Sequence, residues 1–262
     1  MGSMFSKDTS IVLTIHNQEP IIDKVIRGII NNMSVNAKQM VIVFDGCKDN
    51  TESIVRRELK ECRIKPDFYH LPNVWETKAN NFAFRKSTCP YIVTVQDDAE
   101  IQDLNFDQRL LKPFDVVENL LGVTGRNAQD ETLKDGQLRC YNVAGKDVNS
   151  PRNLFAIRDV VVRTPIAFDN SKLEAMNYLD EEFAPLDGDD KDLSFRAYKK
   201  YGWVVGSYII NYNSPLNWGK TRNNHESNRV WALSATKNVV LLIERHKDAM
   251  LGKKHSQDII IE

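Results

Sequence analysis

The stretch SIVLTIHNQEP, residues 10–20, decides the fold. Its apolar part, residues 11–15, is rich in β-branched side chains and predicts a buried strand that stops at the polar residues from His16 onward. Pro20 suits the first turn of a helix, and apolar residues recur at helical spacing over residues 21–30. The stretch therefore predicts one β-α unit.

The same alternation continues along the next seventy residues. Residues 41–44 predict a second buried strand, followed by a polar loop at 45–51 and a helix at 54–59. A weaker strand at 68–70, a helix at 78–85 and a strong strand at 91–95 extend the pattern. Successive β-α units favour a parallel sheet. We therefore expect an α/β fold with a single Rossmann-like sheet, mixed but mostly parallel, flanked by helices.

Beyond Glu100 the alternation gives way to loops and short elements. Four further elements are predicted there: a strand at 155–162, a helix at 190–200, a strand at 203–212 and a closing helix at 227–247. There is no internal repeat, low-complexity stretch or linker composition. We expect one domain over residues 4–262, with residues 1–3 a cloning remnant in front of Met4.

Composition narrows the class of function. The chain has 262 residues, 42% hydrophobic and 27% charged, with a formal net charge of -1. This charge gives no reason to expect nucleic acid as a partner. Four scattered cysteines, with no signal peptide and no apolar run of membrane-spanning length, lead us to expect a cytoplasmic protein, soluble or weakly peripheral.

Two acidic groups stand where chemistry is expected. Ligands of open α/β sheets bind beyond the carboxyl ends of the strands, where Asp97 and Asp98 follow the strand at 91–95. Adjacent carboxylates repel each other unless a cation compensates them, and Mg²⁺ or Mn²⁺ accepts such oxygen ligands. A solvated acidic turn is the simpler interpretation of this pair.

The second acidic group, DGDDKD at residues 187–192, precedes a helix. Carboxylates at a helix N-terminus are favoured by the macrodipole, so a simple cap is the alternative interpretation. A calcium-binding EF-hand requires Gly at its sixth position and Glu at its twelfth. Counting from Asp187, these positions hold Asp192 and Tyr198. Counting from Asp45, they also hold residues other than Gly and Glu, so the EF-hand interpretation fails.

Taken together, five segments resemble the family 2 glycosyltransferases with the GT-A fold, within the nucleotide-diphospho-sugar transferase superfamily. They are residues 10–19, FDGCKDNT at 44–51, KANN at 78–81, QDD at 96–98 and DDKDL at 189–193. The resemblance implies a nucleotide-sugar donor held by Thr14, His16, Asn17, Glu19, Asp45, Lys78, Asn81, Gln96 and Asp97.

The resemblance also implies a metal ion and a catalytic base. Asp98 and His225 would hold Mn²⁺ or Mg²⁺, although the family's Asp-x-Asp motif is here Gln96-Asp97-Asp98 and lacks its first carboxylate. Asp190, with Asp189 beside it, would be the base of an inverting transfer. Residues 10–100 would then form the donor half and residues 101–262 the acceptor and base half.

The acceptor, a glycan or another hydroxyl compound, is expected near residues 122–155 and 211–224, including Trp218. The Gln-x-x-Arg-Trp motif of processive synthases is missing, which favours transfer of a single sugar. The resemblance implies a uridine diphosphate sugar as the preferred donor, by its frequency in the family, with guanosine and deoxythymidine donors as alternatives. A sugar nucleotidyltransferase is less favoured, because no glycine-rich basic loop follows the first strand. A dinucleotide-dependent oxidoreductase is also less favoured, because no GxGxxG motif follows that strand. A catalytically inactive relative that binds nucleotide sugar or glycan remains the alternative from a different class.

Overall fold

A computed structural model describes residues 7–162, 165–219 and 224–262. The strands within these residues are β1 Thr9–Ile15, β2 Ala37–Asp45, β3 Asp67–Leu71, β4 Tyr91–Gln96, β5 Glu100–Ile101, β6 Leu120–Thr124, β7 Asn127–Lys134, β8 Gln137–Gly145, β9 Leu154–Arg158, β10 Val160–Val162, β11 Ile166–Asp169, β12 Val204–Ser207, β13 Tyr212–Asn213 and β14 Gln257–Ile260. The α-helices are α1 Ile22–Asn32, α2 Thr51–Glu58, α3 Glu76–Lys86, α4 Phe106–Leu111, α5 Asn170–Ala175, α6 Asp189–Tyr201 and α7 His225–Leu251.

The central sheet has the strand order β14-β9-β12-β6-β11-β4-β1-β2-β3. Strands β4, β1, β2 and β3 pair in parallel. Strand β11 is antiparallel to β4 and β6, and β9 is antiparallel to β12 and β14, whereas β12 is parallel to β6. All strands except β11 and β9 therefore run in one direction, and the predicted mixed, mostly parallel sheet is confirmed.

Both faces of the first strand are buried, which explains its continuous apolar sequence. Ile11 and Leu13 pack in one core cluster with Val25 of α1, while Val12 packs in a second cluster with Phe84 of α3. Successive side chains of a strand point to opposite faces, so helices must cover both sides. The predicted β-α alternation of the first hundred residues is confirmed.

Two predicted strands are wrong in extent. The strand expected at 155–162 is two strands in different sheets, because Asp159 interrupts it. The Asp159 N–H donates to Asp130 Oδ1 (3.1 Å) and its Oδ2 accepts from Glu131 N–H (3.0 Å), which draws the chain toward β7. The strand expected at 203–212 ends at Ser207, and Asn211 N–H donates to Asp103 Oδ2 (2.8 Å) as the chain turns toward β5.

The sequence did not predict the hairpin of β7 and β8, which forms a three-stranded sheet with β10. Its strands carry polar side chains, and β8 is largely exposed on both faces, so the apolar alternation of a half-buried strand is missing. The edge strand β14 was not predicted either. Among the described helices, none combines the length and apolar character needed to span a membrane.

The closing helix α7 is joined to α6 through a buried ionic cluster. Asp192 is fully buried and accepts from Arg196 Nε (2.5 Å) of its own helix. His246 Nε2 lies 2.9 Å from the other carboxylate oxygen of Asp192. The helix α7 begins at 225 and ends at 251, and is therefore longer than the predicted 227–247.

Candidate active site

A cavity of about 770 Å³ lies at the carboxyl ends of β1, β2 and β4. This is the position at which open α/β sheets bind ligands. Its walls come from both halves of the chain. Seven of the residues singled out from the sequence line it: Thr14, His16, Asn17, Asp45, Gln96, Asp97 and Asp98.

Asp97 holds the loop that follows β1. His16 N–H donates to Asp97 Oδ2 (2.9 Å), and Gln18 Nε2 donates to Asp97 Oδ1 (3.2 Å). Burial, and after it the negative charge of Asp98, raises the pKa of Asp97 to about 7. Both oxygens of Asp97 thus accept hydrogen bonds from the loop that follows β1, and the role of Asp98 in metal binding stays a prediction.

The lining of the cavity carries excess negative charge. Among its described residues are seven carboxylates against three cationic side chains, a difference of four charges. A divalent cation would compensate part of this charge. No group of three His, Cys, Asp or Glu side chains in the described residues forms a metal cluster by itself. This donor set fits a hard cation held by one carboxylate, with phosphate oxygens and water as its other ligands.

His225, the predicted second metal ligand, is the exposed first residue of α7. Its neighbours Asn224 and Glu226 line the cavity. Residues 220–223, which precede this turn, lie outside the described residues. The role of His225 in metal binding stays a prediction.

Asp45, expected to hold the nucleotide, also holds the backbone of the next loop. Its carboxylate accepts from Val74 N–H (2.7 Å) and Trp75 N–H (2.8 Å), and only 4% of the residue is exposed. His16 Nδ1 lies 2.5 Å from the Asp45 carbonyl oxygen. On the neighbouring wall, Thr14 Oγ1 donates to Asn80 Oδ1 (3.0 Å). Asp45 thus fixes the turn between β3 and α3.

Three residues assigned to donor binding lie away from the cavity. Lys78 is exposed on α3, whereas Glu76, Ala79 and Asn80 of that helix line the cavity. The hundred-degree rotation per residue in a helix separates these positions. Lys78, Asn81 and Glu19 are therefore not part of the cavity lining, and their role in donor binding stays a prediction.

Asn81 and Glu19 have structural partners instead. The buried Asn81 donates from Nδ2 to Leu179 O (2.9 Å) and accepts at Oδ1 from Leu179 N–H (3.0 Å), which fixes the segment before α6. Glu19 accepts from the backbone N–H (3.0 Å) and side-chain amide (2.9 Å) of Asn50. These contacts join the loops behind the cavity wall. Of the KANN segment, Ala79 and Asn80 are the members that line the cavity.

The first turn of α6 presents the predicted base. Asp189 is buried and accepts from Thr77 Oγ1 (2.8 Å) and from Asp190 N–H (3.0 Å), so it ties α6 to α3. Asp190 is only partly buried, and its Oδ1 accepts from Lys191 N–H (2.8 Å). The positive end of the α6 dipole favours the ionised form of both carboxylates.

Asp187, two residues before α6, lines the cavity, whereas Asp189 and Asp190 do not. Its backbone has φ 78°, in the left-handed region. The side chain of Asn238 on α7 holds this loop, donating from Nδ2 to Phe183 O (2.7 Å), Leu186 O (3.0 Å) and Asp187 O (2.7 Å). The closing helix thus positions the acidic loop.

The second half contributes side chains that the sequence did not identify. Arg126 and Lys146, at the ends of the unpredicted hairpin, line the cavity, and burial lowers the pKa of Lys146. Trp231 of α7 also lines it. Trp218, expected at the acceptor site, instead has Lys24 Nζ 5.5 Å from its ring centroid and is outside the lining.

Solved glycosyltransferases share this fold. Residues 1–349 of S. aureus TarS in complex with UDP are 14% identical, with a TM-score of 0.58, covering 93% of this chain and 69% of that one. The mannosyltransferase PcManGT from Pyrobaculum calidifontis, in complex with GDP-Man and Mn²⁺, is 13% identical, with a TM-score of 0.61 and coverage of 94% and 65%.

Glucosyl-3-phosphoglycerate synthase from Mycobacterium tuberculosis, in complex with Mn²⁺, UDP and glucosyl-3-phosphoglycerate, is 13% identical, with a TM-score of 0.60 and coverage of 97% and 88%. At such identities the likeness establishes the fold alone. The chain spans 42% of the length of full TarS. No curated protein sequence matches the chain. The family model described as "Glycosyl transferase family 2" matches residues 10–173, more than half of the sequence, and the chain belongs to that family.

Proposed function

We propose that the chain is an inverting, metal-dependent glycosyltransferase, which moves one sugar from a nucleotide diphosphate sugar to an acceptor hydroxyl. A uridine diphosphate sugar is the favoured donor, and assembly of a glycan or polysaccharide is the favoured role. The observation that carries this proposal is one cavity whose lining includes both the Asp97-Asp98 pair and Asp187 of the acidic loop before α6. The UDP and GDP-Man complexes of the solved relatives support it.

The donor would bind in the half formed by residues 10–100. Thr14, His16 and Asn17 line the cavity beside Asp45, and Asp97 fixes their loop through hydrogen bonds to His16 and Gln18. This pre-organised wall removes part of the entropic cost of placing the donor.

Asp98 would hold Mn²⁺ or Mg²⁺, together with His225. When bound, such an ion neutralises the charge that develops on the diphosphate leaving group. The Mn²⁺ complexes of two solved relatives support this assignment. The excess of carboxylates in the lining is the observation in this chain that favours a cation.

The acceptor would bind in the half formed by residues 101–262, against Arg126, Lys146 and Trp231. Asp190 would accept the proton of the acceptor hydroxyl as its oxygen attacks the anomeric carbon of the donor. Asp189 ties the first turn of α6 to Thr77. Asp187, which lines the cavity, is the second carboxylate in reach of the acceptor.

The test compares Asp190→Asn and Asp187→Asn. Asp190→Asn should abolish sugar transfer, while the shift of the melting temperature by UDP and Mn²⁺ stays near that of the wild type. Asp248→Asn, which removes an exposed carboxylate of α7 paired with Lys199, is the matched control. Wild-type turnover in Asp190→Asn together with its loss in Asp187→Asn would transfer the role of base to Asp187. A wild-type protein that binds no nucleoside diphosphate would refute the transferase proposal.

A further inference from the structure

Trp75 has a backbone conformation that side-chain-bearing residues rarely adopt. Its φ is 69° and its ψ is 174°, in a region that is essentially restricted to glycine. Such strain costs free energy and persists only where the surroundings impose it. Here Asp45 imposes it, because the carboxylate accepts from Trp75 N–H (2.8 Å) and Val74 N–H (2.7 Å). The indole is thus retained at a position where glycine would be free of strain.

The turn around Trp75 is also tightly packed. Asn73 has φ 58°, and a Cβ added to Gly46 would lie 2.6 Å from the Asn73 Cβ. The loops after β2 and β3 therefore interlock, and Trp75 of this turn is one of the residues that line the cavity.

The ring of Trp75 has no aromatic or cationic partner among the described residues. By contrast, Trp203 stacks on Tyr201 with centroids 4.2 Å apart, and Trp218 packs with Lys24. An indole face in a cavity wall is a surface on which a planar ring can stack.

The position of Trp75 along the sheet indicates which part of a nucleotide it meets. Asp45 ends β2, and Asp98 follows β4, with β1 between them. Two strand spacings separate β2 from β4, about 10 Å. If the diphosphate lies at Asp98 and the sugar faces the acidic loop before α6, the nucleoside extends along the sheet toward β2 and β3. Trp75 lies at that end.

We propose that the indole of Trp75 stacks on the nucleobase of the donor and is a main source of nucleotide affinity. This inference rests on the proposed function. Stacking on an aromatic side chain tolerates different bases, so Trp75 would set affinity, while polar groups of the wall choose among bases.

The experiment measures dissociation constants of UDP, UMP and pyrophosphate, each with Mn²⁺, by calorimetry. Trp75→Ala should weaken UDP and UMP about tenfold, which corresponds to about 1.4 kcal/mol, and leave pyrophosphate unchanged. Trp75→Phe should restore most of the affinity. Trp203→Ala is the control, because Trp203 directly precedes β12 and so lies at the amino ends of the parallel strands, away from the cavity at their carboxyl ends. This variant should bind all three ligands as the wild type does.

Trp75→Gly separates the ring from the strain. It should lose as much affinity for UDP as Trp75→Ala but melt at a higher temperature than Trp75→Ala, because glycine adopts this backbone freely. Unchanged UDP affinity in Trp75→Ala, or an equal loss of affinity for pyrophosphate, would overturn the assignment while leaving the proposed function in place. If the wild type binds none of UDP, GDP and dTDP, the proposed function and this inference both fall.

Discussion

Replacing Asn238 by alanine tests whether α7 positions the acidic loop. The side chain is 2% exposed, and its Nδ2 donates to the carbonyl oxygens of Phe183, Leu186 and Asp187 at 2.7, 3.0 and 2.7 Å. Only two N–H hydrogens serve these three acceptors. Alanine would leave the buried carbonyls without this donor, and each unsatisfied buried group costs about 1–3 kcal/mol.

The expected net loss in the free energy of unfolding is about 3 kcal/mol. The loss of two hydrogen bonds accounts for most of this decrease in the free energy of unfolding. A partial gain offsets them, because Asn238 Oδ1 is buried without a hydrogen-bond partner among the described residues and its removal relieves that cost. Turnover should fall as well, because the loop that loses its anchor contains Asp187, which lines the cavity, and is followed directly by the first turn of α6 with Asp190.

The assay is urea unfolding, together with kcat and KM for sugar transfer. Ser234→Ala is the matched control, because Ser234 is buried on the same helix but donates only to Val230 O (2.9 Å) of that helix. The control should lose less than about 1 kcal/mol. If Asn238→Ala unfolds like the control and keeps its kcat, the positioning role is refuted. If kcat falls while the KM for the donor is kept, the role is supported.

Two further predictions concern the scaffold. In an exposed helix interior, a Gly→Ala substitution stabilises by about 1 kcal/mol. Gly28→Ala should instead lower the free energy of unfolding in urea by about 1–3 kcal/mol, because the added Cβ would lie 2.8 Å from Ile101 N. A more stable variant would contradict the close packing of α1 on β5. Hydrogen bonds from Arg27 and then Arg57 lower the pKa of Glu58 to about 2. Since this folded-state pKa lies below the unfolded value of about 4.3, the stabilisation is complete above that pH and is lost as the pH falls toward 2. The melting temperature of Glu58→Gln should therefore lie below the wild type at pH 7, with a gap that narrows below about pH 4; a gap independent of pH would refute this.

The sequence predicted the first half of the fold because its strands are buried on both faces. Strand β1 has the apolar run at residues 11–13 for this reason, and the helix that follows shows clear 3.6-residue periodicity. Strand β8 carries no such pattern, since neither of its faces is buried in the core. The interruption of the predicted strand at Asp159 depends on hydrogen bonds with residues 28 and 29 positions away. A local sequence pattern carries no information about such distant partners.

The site shows the same limit. Position after a buried strand was sufficient to place Asp97, Asp98 and Asp45 at the cavity. It was insufficient to choose between Asn80 and Asn81, because the rotation of α3 relative to the sheet is set by tertiary packing. The sequence also did not predict that Trp75 and Trp231 line the cavity, because their positions depend on the folded turn before α3 and on the packing of α7.

The dependence of the acidic loop on α7 has a consequence for the order in which the protein matures during synthesis. The parallel strands of the first hundred residues pair with near neighbours and can form early. Asn238 and His246, which hold the loop and Asp192 of α6, leave the ribosome about fifty residues after their partners. A domain generally folds as a unit, so its last elements must emerge before its packing is complete. The acidic loop would therefore lack its anchor, and the proposed base Asp190 its ordered approach, until α7 has left the ribosome and docked.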